Sequence, residues 1–397
     1  NLLSAAEMYG DRLGLDADMS IYMFLPLAHA LARVAQIVAL TVGGEIIFWR
    51  GDSKKIVEEL AEAGPTHFPS VPRVFEKIHT RIHAGVEEAS PVKRAMFHWA
   101  IGEGTRRRER ERAGRRGSPL ARRRHALADK LVLGKVRAVF GPNLAVCLTG
   151  AAPIGREILE FFDACGVLIL EGYGLTETCA ASTLNTPREH RFGSIGRPLP
   201  GCEVKIAEDE EILLSGPHVF PGYYRDADST AGALAGRTLR TGDLGAIDED
   251  GYVRITGRKK DLIITSSGKN ISPSNIEELL CEGRFVSHAV VFGERRSYLV
   301  ALLTIDPDEA GALAERTGAP SADLPTLAEH PGVREELQKC VDAANAHLAR
   351  IEQIKRFAIL EHDLTQEGGE LTPTLKIKRP VVAERYGGLV EELYGGK

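Results

Sequence analysis

The chain has 397 residues, with 50 Lys+Arg against 55 Asp+Glu and a net charge of −5. Its 43% hydrophobic and 26% charged residues are the mix of a folded protein with a large core, which excludes a disordered, collagen-like or disulfide-stapled chain. Six cysteines (Cys147, Cys165, Cys179, Cys202, Cys281 and Cys340) form no CxxC pair; this argues against a zinc ribbon and for reduced thiols, hence a cytoplasmic protein.

The start at Asn1 shows no basic segment followed by an apolar one, so no signal peptide is read. Ile21 to Trp49 is the most apolar stretch, but Arg33, Gln36 and Glu45 interrupt it, and no membrane span is predicted. From Met23 to Trp49 the pattern predicts a buried helix and then a strand over Glu45 to Trp49. An amphipathic helix over Lys54 to Glu62 and a strand from Thr66 to Val71 follow, in alternating α/β order. Between Arg106 and Arg124 stand ten Arg and two Glu, with Gly114, Gly117 and Pro119. One straight helix is excluded there, and the expectation is a solvated, partly disordered excursion. Its sharper alternative is peripheral contact with an anionic membrane surface; without interleaved aromatics, nucleic acid is not expected as a partner.

Leu144 to Leu148 and Val167 to Leu170 read as buried strands flanking a helix over Ile154 to Cys165. Each strand runs into a glycine-containing turn, where ligands of α/β sheets collect. Beyond residue 200 the texture becomes hairpins: Glu203 to Ile206 with Glu211 to Leu214, and Gly245 to Asp248 with Tyr252 to Thr256 around Asp250-Gly251. A basic GRKKD then opens a compact α+β pattern. The expected domains are 1–257, with a β-rich subdomain over about 200–257, and 258–397.

The chain lacks GxxxxGK[ST], GxGxxG after a strand, HExxH and GxSxG, so NTPase, Rossmann, metalloprotease and hydrolase templates lose ground. Three polar segments at strand ends remain. LTGAAP (Leu148 to Pro153) offers small residues whose backbone can lie against a planar ring. EGYGLTET (Glu171 to Thr178) offers an aromatic face, hydroxyls and carboxylates. TGDL (Thr241 to Leu244) offers a carboxylate, which suits a vicinal diol because both hydroxyls can donate to it in charge-assisted bonds. Together they suggest a ribonucleotide site, although a lone TGD reads as a turn and a lone YGLTE as a strand-to-helix cap.

In this order, with ITGRKKDLIIT, SSGKNISPSNIE and LTPTLKIKR behind them and PLAHALAR (Pro26 to Arg33) and SVPRVFEKI (Ser70 to Ile78) ahead, these segments resemble the adenylate-forming superfamily, specifically its long-chain fatty acyl-CoA synthetase branch. The resemblance implies an α/β fold: a large N-terminal domain of mixed sheets flanked by helices with a β-rich subdomain, then a small mobile α+β domain. It implies an ATP- and Mg2+-dependent fatty acid–CoA ligase that forms an acyl-adenylate and then acyl-CoA, releasing diphosphate and AMP. By this resemblance Gly150, Ala151 and Ala152 line an adenine pocket, Tyr173 stacks on the base, and Glu171, Gly172 and Gly174 shape its wall. Thr176 bonds the α-phosphate and Glu177 holds Mg2+, whose preference is for oxygen ligands. Asp243 accepts the ribose hydroxyls, Ile255 packs under the sugar and Arg258 contacts ribose or phosphate. Lys376 is the catalytic lysine, with Lys378 and Arg379 nearby. Lys260 is the hinge, and Gly268, Lys269 and Asn270 serve coenzyme A. The acyl pocket falls near His29, Val71 to Arg73 and Gly150, with His29 itself read as a packed residue.

Such proteins carry an upstream phosphate loop ending in Pro-Lys-Gly, which is not in this sequence. The expectation is therefore that the chain begins partway through the large domain and adenylates poorly by itself. The rival readings are a ligase for another carboxylate and a non-catalytic nucleotide- or acyl-binding relic.

Overall fold

The structure, a computed structural model, describes residues 1–52, 55–372 and 376–395. Lys54 of the expected helix and Pro373 to Leu375 of LTPTLKIKR lie outside them. The chain divides into two compact units, Asn1–Ile255 and Thr256–Lys397, each described by itself.

The first unit is built on a seven-stranded sheet of β1 (Ser20–Met23), β2 (Glu45–Phe48), β3 (His67–Ser70), β4 (Val146–Thr149), β5 (Ile169–Leu175), β6 (Ala180–Leu184) and β7 (Arg197–Pro198), in the order β2-β1-β3-β4-β5-β6-β7. Pairing is parallel from β2 through β5 and antiparallel beyond it. The sheet is therefore mixed. Helices α1 (Leu2–Leu13) and α2 (Ala30–Val42) pack on one face, around Ile21, Met23, Val34 and Val38. On the other lie α3 (Ile56–Ala63), α4 (Pro72–Glu87), α5 (Pro91–Arg112), α6 (Pro119–Ala128), α7 (Gly134–Ala138) and α8 (Arg156–Cys165), around Phe68, Phe75, Phe140 and Phe162. Local signals set the helix ends. His29 caps α2 by accepting the Leu31 amide, Gly43 ends it with φ 78°, and Pro72 starts α4, where its missing N–H costs nothing.

The arginine-rich run is not a partly disordered excursion. It forms the end of α5, a turn and most of α6, with Ser118 capping α6 through the Ala121 amide. Arginines and buried carboxylates hold the pair in place. Glu103 takes Arg106 and Arg124, and Asp163 takes Arg108 and Arg112. That order was hidden in composition because the carboxylates that organise it include Asp163, far along the chain.

A second sheet holds β8 (Glu203–Ile206), β9 (Glu211–Ser215), β10 (Leu234–Ala235), β11 (Thr238–Ile247) and β12 (Val253–Arg258), with α9 (Ala227–Ala233) beside it. The β11–β12 turn closes on Asp248, whose carboxylate accepts the Asp250 and Tyr252 amides, and Gly251 has φ 82°. In the second unit, β13 (Ile263–Ile264) pairs with β14 (Asn270–Ile271), and β15 (Val286–Phe292), β16 (Leu299–Ile305) and β17 (Ile354–Ile359) form a three-stranded sheet. Alternate residues serve its two faces. Ala289, Val291, Ala301 and Leu303 pack under α10 (Pro273–Cys281), α11 (Ala310–Thr317), α12 (Leu324–Glu329) and α13 (Pro331–Ala346); Val290, Val300 and Leu302 meet α14 (Arg379–Leu393). No helix among the described residues is long and apolar enough to cross a membrane.

Candidate active site

Strands β3 and β4 end side by side, and their ends lie beside the middle of β5, with Ser70 opposite Thr149 and Thr149 opposite Glu171. The register lays the first two polar segments next to each other. A Cβ on Gly150 would stand 3.1 Å from the Gly172 carbonyl oxygen, and one on Gly172 would stand 2.8 Å from Leu184 Cδ1. At Gly174 a Cβ would fall 1.7 Å from the Ala180 carbonyl oxygen, so only glycine fits. Ala151 lies in the left-handed region at φ 71°, uncommon for a residue with a side chain. The shelf made by Gly150, Gly172 and Gly174 is thus bare backbone, crowded by its neighbours, with the small Ala151 beside it.

Glu171 is tied down at both ends. Its carbonyl accepts the Asn185 amide at 3.0 Å and its Oε2 accepts the Gly193 amide at 3.1 Å. Asn185, buried, also donates to the Ser194 carbonyl and accepts the Arg191 amide. The adjacent Tyr173 is buried and its hydroxyl donates to Asp243 Oδ2 at 2.7 Å. Two residues 70 apart in sequence are thereby brought together. The TGD segment is not a turn: it lies within β11, where the pairing with β9 shifts register between Arg240 and Leu244 and Gly242 takes φ 72°. Such an irregularity re-aims a side chain. Here Thr241 accepts the Asp243 amide, donates to the Ile212 carbonyl and so fixes the base of Asp243.

After β5 the chain makes one helical turn, Thr176–Thr178. Thr178, buried, caps it by accepting the Leu175 amide, while Thr176 is exposed. Glu177 Oε1 accepts the Tyr223 hydroxyl at 2.7 Å, and its carbonyl accepts the Phe220 amide. The bond to Glu177 pushes the Tyr223 hydroxyl up to about 12, so it stays a donor. Tyr223 also lines an open cavity of about 590 Å³ with Pro221, Gly222 and Thr230. Beyond the turn, Cys179 and Ala180 both have positive φ, and the Ala181 amide donates to the buried Tyr9 hydroxyl. Backbone strain of this kind persists only where its surroundings enforce it.

Ile255 is partly exposed on β12. His29 is engaged as a helix cap, Arg73 pairs with Glu76, and Val71 precedes α4. A small apolar cavity of about 40 Å³ lies elsewhere, lined by Tyr9, Ile21, Leu31, Val34, Pro69 and Leu148. Of the remaining sequence candidates, all in the second unit, Arg258 ends β12 and Lys260 lies in a short helical turn, Lys259–Asp261. Gly268, Lys269 and Asn270 form the exposed turn into β14, with Gly268 at φ 75°. Lys376 is exposed beside an antiparallel bridge of Leu371 and Ile377; its amide donates to Thr372 Oγ1 and its carbonyl accepts the Thr372 amide. Ion pairs brace both flanks, Arg385 on the buried Glu370 and Arg379 on Glu277. Burial pushes the Glu277 carboxyl up to about 7 against the pull of Arg379.

A single carboxylate, Glu177, and a hydroxyl, Thr176, are hard oxygen donors. Among the described residues no three His, Cys, Asp or Glu gather as a metal nest. The set fits Mg2+, which keeps waters and takes one or two carboxylates plus phosphates. Sequence reasoning missed Tyr223, Asn185 and Tyr9, because none stands inside a motif and Tyr223 and Tyr9 act across long chain separations.

A family profile described as AMP-binding enzyme matches residues 1–224, and another, AMP-binding enzyme C-terminal domain, matches residues 260–397. The long-chain-fatty-acid–CoA ligase FadD15 of Mycobacterium bovis is 38% identical over 381 residues, covering 94% of this chain and 62% of that protein. A Mycobacterium tuberculosis protein described as a fatty-acid–CoA ligase, fadD11, is 38% identical over 401 residues, covering 100% of this chain and 70% of its own length. The adenylation domain of a carboxylate reductase from Mycobacterium chelonae has the same fold, with TM-score 0.74 at 22% identity, covering 100% of this chain and 57% of that one.

Proposed function

The chain belongs to the AMP-binding enzyme family, in its long-chain acyl-CoA synthetase branch, and on that premise we propose that it carries the adenylation and thioester chemistry of an ATP-dependent long-chain fatty acid–CoA ligase. The observation that carries this reading is the Tyr173–Asp243 couple beside the bare shelf of Gly150 and Gly172. It offers an aromatic face, a flat backbone wall and a diol acceptor in one place. The names of the relatives support the long-chain substrate.

A carboxylate is a poor electrophile. In the first step a fatty acid oxygen attacks the α-phosphorus of ATP, the α–β phosphate bond breaks and diphosphate leaves. In the second, the sulfur of coenzyme A attacks the acyl carbon and AMP leaves with the bonding electrons. Tyr173 packs on adenine while its hydroxyl orients Asp243, whose oxygens retain lone pairs for the ribose hydroxyls. Ala151 and Ala152 extend the wall, braced by Glu171, Gly172 and Gly174, and Ile255 and Arg258 complete the sugar contacts. Thr176 donates to the α-phosphate. Glu177, held by Tyr223 through one oxygen, would hold Mg2+ through the other, and the ion would offset phosphate charge. The Lys376 ammonium neutralises the repulsion between carboxylate and phosphate and the charge that develops as they join. Lys260 serves as hinge residue, and Gly268, Lys269 and Asn270 serve coenzyme A.

The test is palmitoyl-CoA formation from ATP, palmitate and coenzyme A, run on this chain and on the chain extended upstream, each with Lys376→Ala. Loss of one preorganised charge should slow adenylation by roughly 100- to 1,000-fold. An extended protein that binds AMP yet turns over no carboxylate in a panel would replace the ligase with a binding relic, and turnover confined to another carboxylate would move the substrate.

A further inference from the structure

The fold sorts nine of the ten arginines between Arg106 and Arg124 into two sets, while Arg110 donates to the Arg106 carbonyl. Arg106 and Arg124 both reach Glu103, which is 2% exposed, at 2.5 Å. Arg108 and Arg112 both reach the buried Asp163 on α8, at 3.1 and 2.6 Å, and Arg107 pairs with Glu111. The Arg124–Glu103 pair ties α6 to α5, and the two Asp163 pairs fasten α5 to α8 and so to the body of the first unit. At its tip, Arg115, Arg116, Arg122 and Arg123 are exposed and carry no ion pair among the described residues. On α6, Leu120 is 67% and Leu127 51% exposed. With Arg123 they recur at i, i+3 and i+7, one strip of a helix, and Arg122 and Ala126 flank it on the outward side.

Single exposed leucines need no explanation. Two on one strip, framed by four unneutralised guanidiniums, have the composition of a helix that lies in the headgroup region of a bilayer. The run from Arg106 to Arg124 contains no aromatic residue, and stacking on bases therefore has no platform there. We propose that the tip of the α5–α6 hairpin is a docking surface for an anionic phospholipid bilayer, with Arg115, Arg116, Arg122 and Arg123 on headgroup phosphates and Leu120 and Leu127 at the acyl boundary. The clamps at Glu103 and Asp163 hold this surface in place before it meets lipid, so little ordering remains to be done on contact. The inference stands independently of the ligase reading, since it concerns adsorption and not turnover.

Co-sedimentation of the intact chain with vesicles tests it. Binding is expected to phosphatidylcholine vesicles containing phosphatidylglycerol, not to pure phosphatidylcholine, and should weaken with salt. Replacing all four tip arginines by Gln should lower the partition coefficient by roughly 100-fold or more, from about fivefold per basic residue. Leu120→Ser with Leu127→Ser should lower it too while leaving the salt dependence. Arg295→Gln with Arg350→Gln, exposed in the second unit, should change nothing. Because the tip arginines pair with no carboxylate among the described residues, an unchanged melting temperature should accompany the loss. Equal binding to neutral vesicles, or retention by the four-arginine variant, would overturn the proposal. So would an inert leucine pair combined with displacement by an oligonucleotide or polyglutamate, which would assign the tip to polyanions in general.

Discussion

Asp243 is the residue on which nucleotide affinity should depend most. It is buried with a tyrosine hydroxyl on one oxygen and a threonine hydroxyl under its amide, so its carboxylate is aimed before any ligand arrives. Hydrogen bonds to a charged group contribute about 1.5 to 3 kcal/mol each. Asp243→Asn should therefore weaken AMP binding by roughly 10- to 100-fold in a calorimetric titration, and Tyr173→Phe, which removes the orienting donor and keeps the ring, should weaken it less. Unchanged AMP affinity in the Asp243→Asn variant would remove Asp243 from the site. Gly174 is the steric counterpart. With the Ala180 carbonyl oxygen 1.7 Å from any added Cβ, the conflict is backbone against backbone and cannot be relieved by turning a side chain. Gly174→Ala should cost more than about 3 kcal/mol, beyond the usual range for point changes, and show as a collapse of the urea midpoint. A wild-type midpoint would mean that the β5–β6 turn is far softer than its geometry implies.

At the scale of elements, the segment after β9 places a histidine where protons are unwelcome. His218 is fully buried with Ser182 of β6 as its partner, Oγ to Nε2 at 2.9 Å, and burial pushes it from the ordinary 6.5 down to about 4. Between those values the unfolded chain holds a proton that the folded chain lacks. Its contribution to stability is thus fully present above pH 6.5 and is lost as pH falls toward 4. The melting temperature should decline over that window, and His218→Gln should flatten the decline by the equivalent of about one proton taken up on unfolding. An unaltered slope would show that other groups carry the acid lability. Periodicity revealed the strands at Glu203 and Glu211 and the helix ending at Cys165, because those elements carry their burial pattern within themselves. It missed β1 and α1, and TGD taken alone reads as a turn although it lies within β11, because a strand irregularity and a turn ask for the same glycine. In YGLTET the cap is supplied by Thr178 while Thr176 stays exposed, a difference of partners that no spacing encodes. Tyr223, at Glu177, was invisible for the same reason. Composition read the arginine run as solvent-facing, and most of it is exposed, but Arg106, Arg108, Arg112 and Arg124 are organised by Glu103 and Asp163.

For the molecule as a whole, the second unit carries its own core. Its three-stranded sheet is covered on one face by Ile276, Leu280, Leu313, Leu337 and Val341 and on the other by Val382 and Val390, all buried. Residues 256–397 number about 140, near the commonest domain size, and a domain of this size buries about two thirds of its unfolded surface, enough for cooperative folding. A buried carboxylate inside the unit is matched as well. Asp363 accepts His288 Nδ1, Ser287 and Thr304, and these bonds hold its carboxyl below the usual range although burial opposes them. A polypeptide of residues 256–397 should therefore fold alone, with one urea transition seen coincidently by circular dichroism and by tyrosine fluorescence, as two-state behaviour requires. Asp363→Asn should lower its midpoint, and the loss should shrink as pH falls and the native carboxyl is itself protonated. Non-coincident transitions, or a polypeptide without secondary structure, would mean that the unit borrows stability from residues outside it.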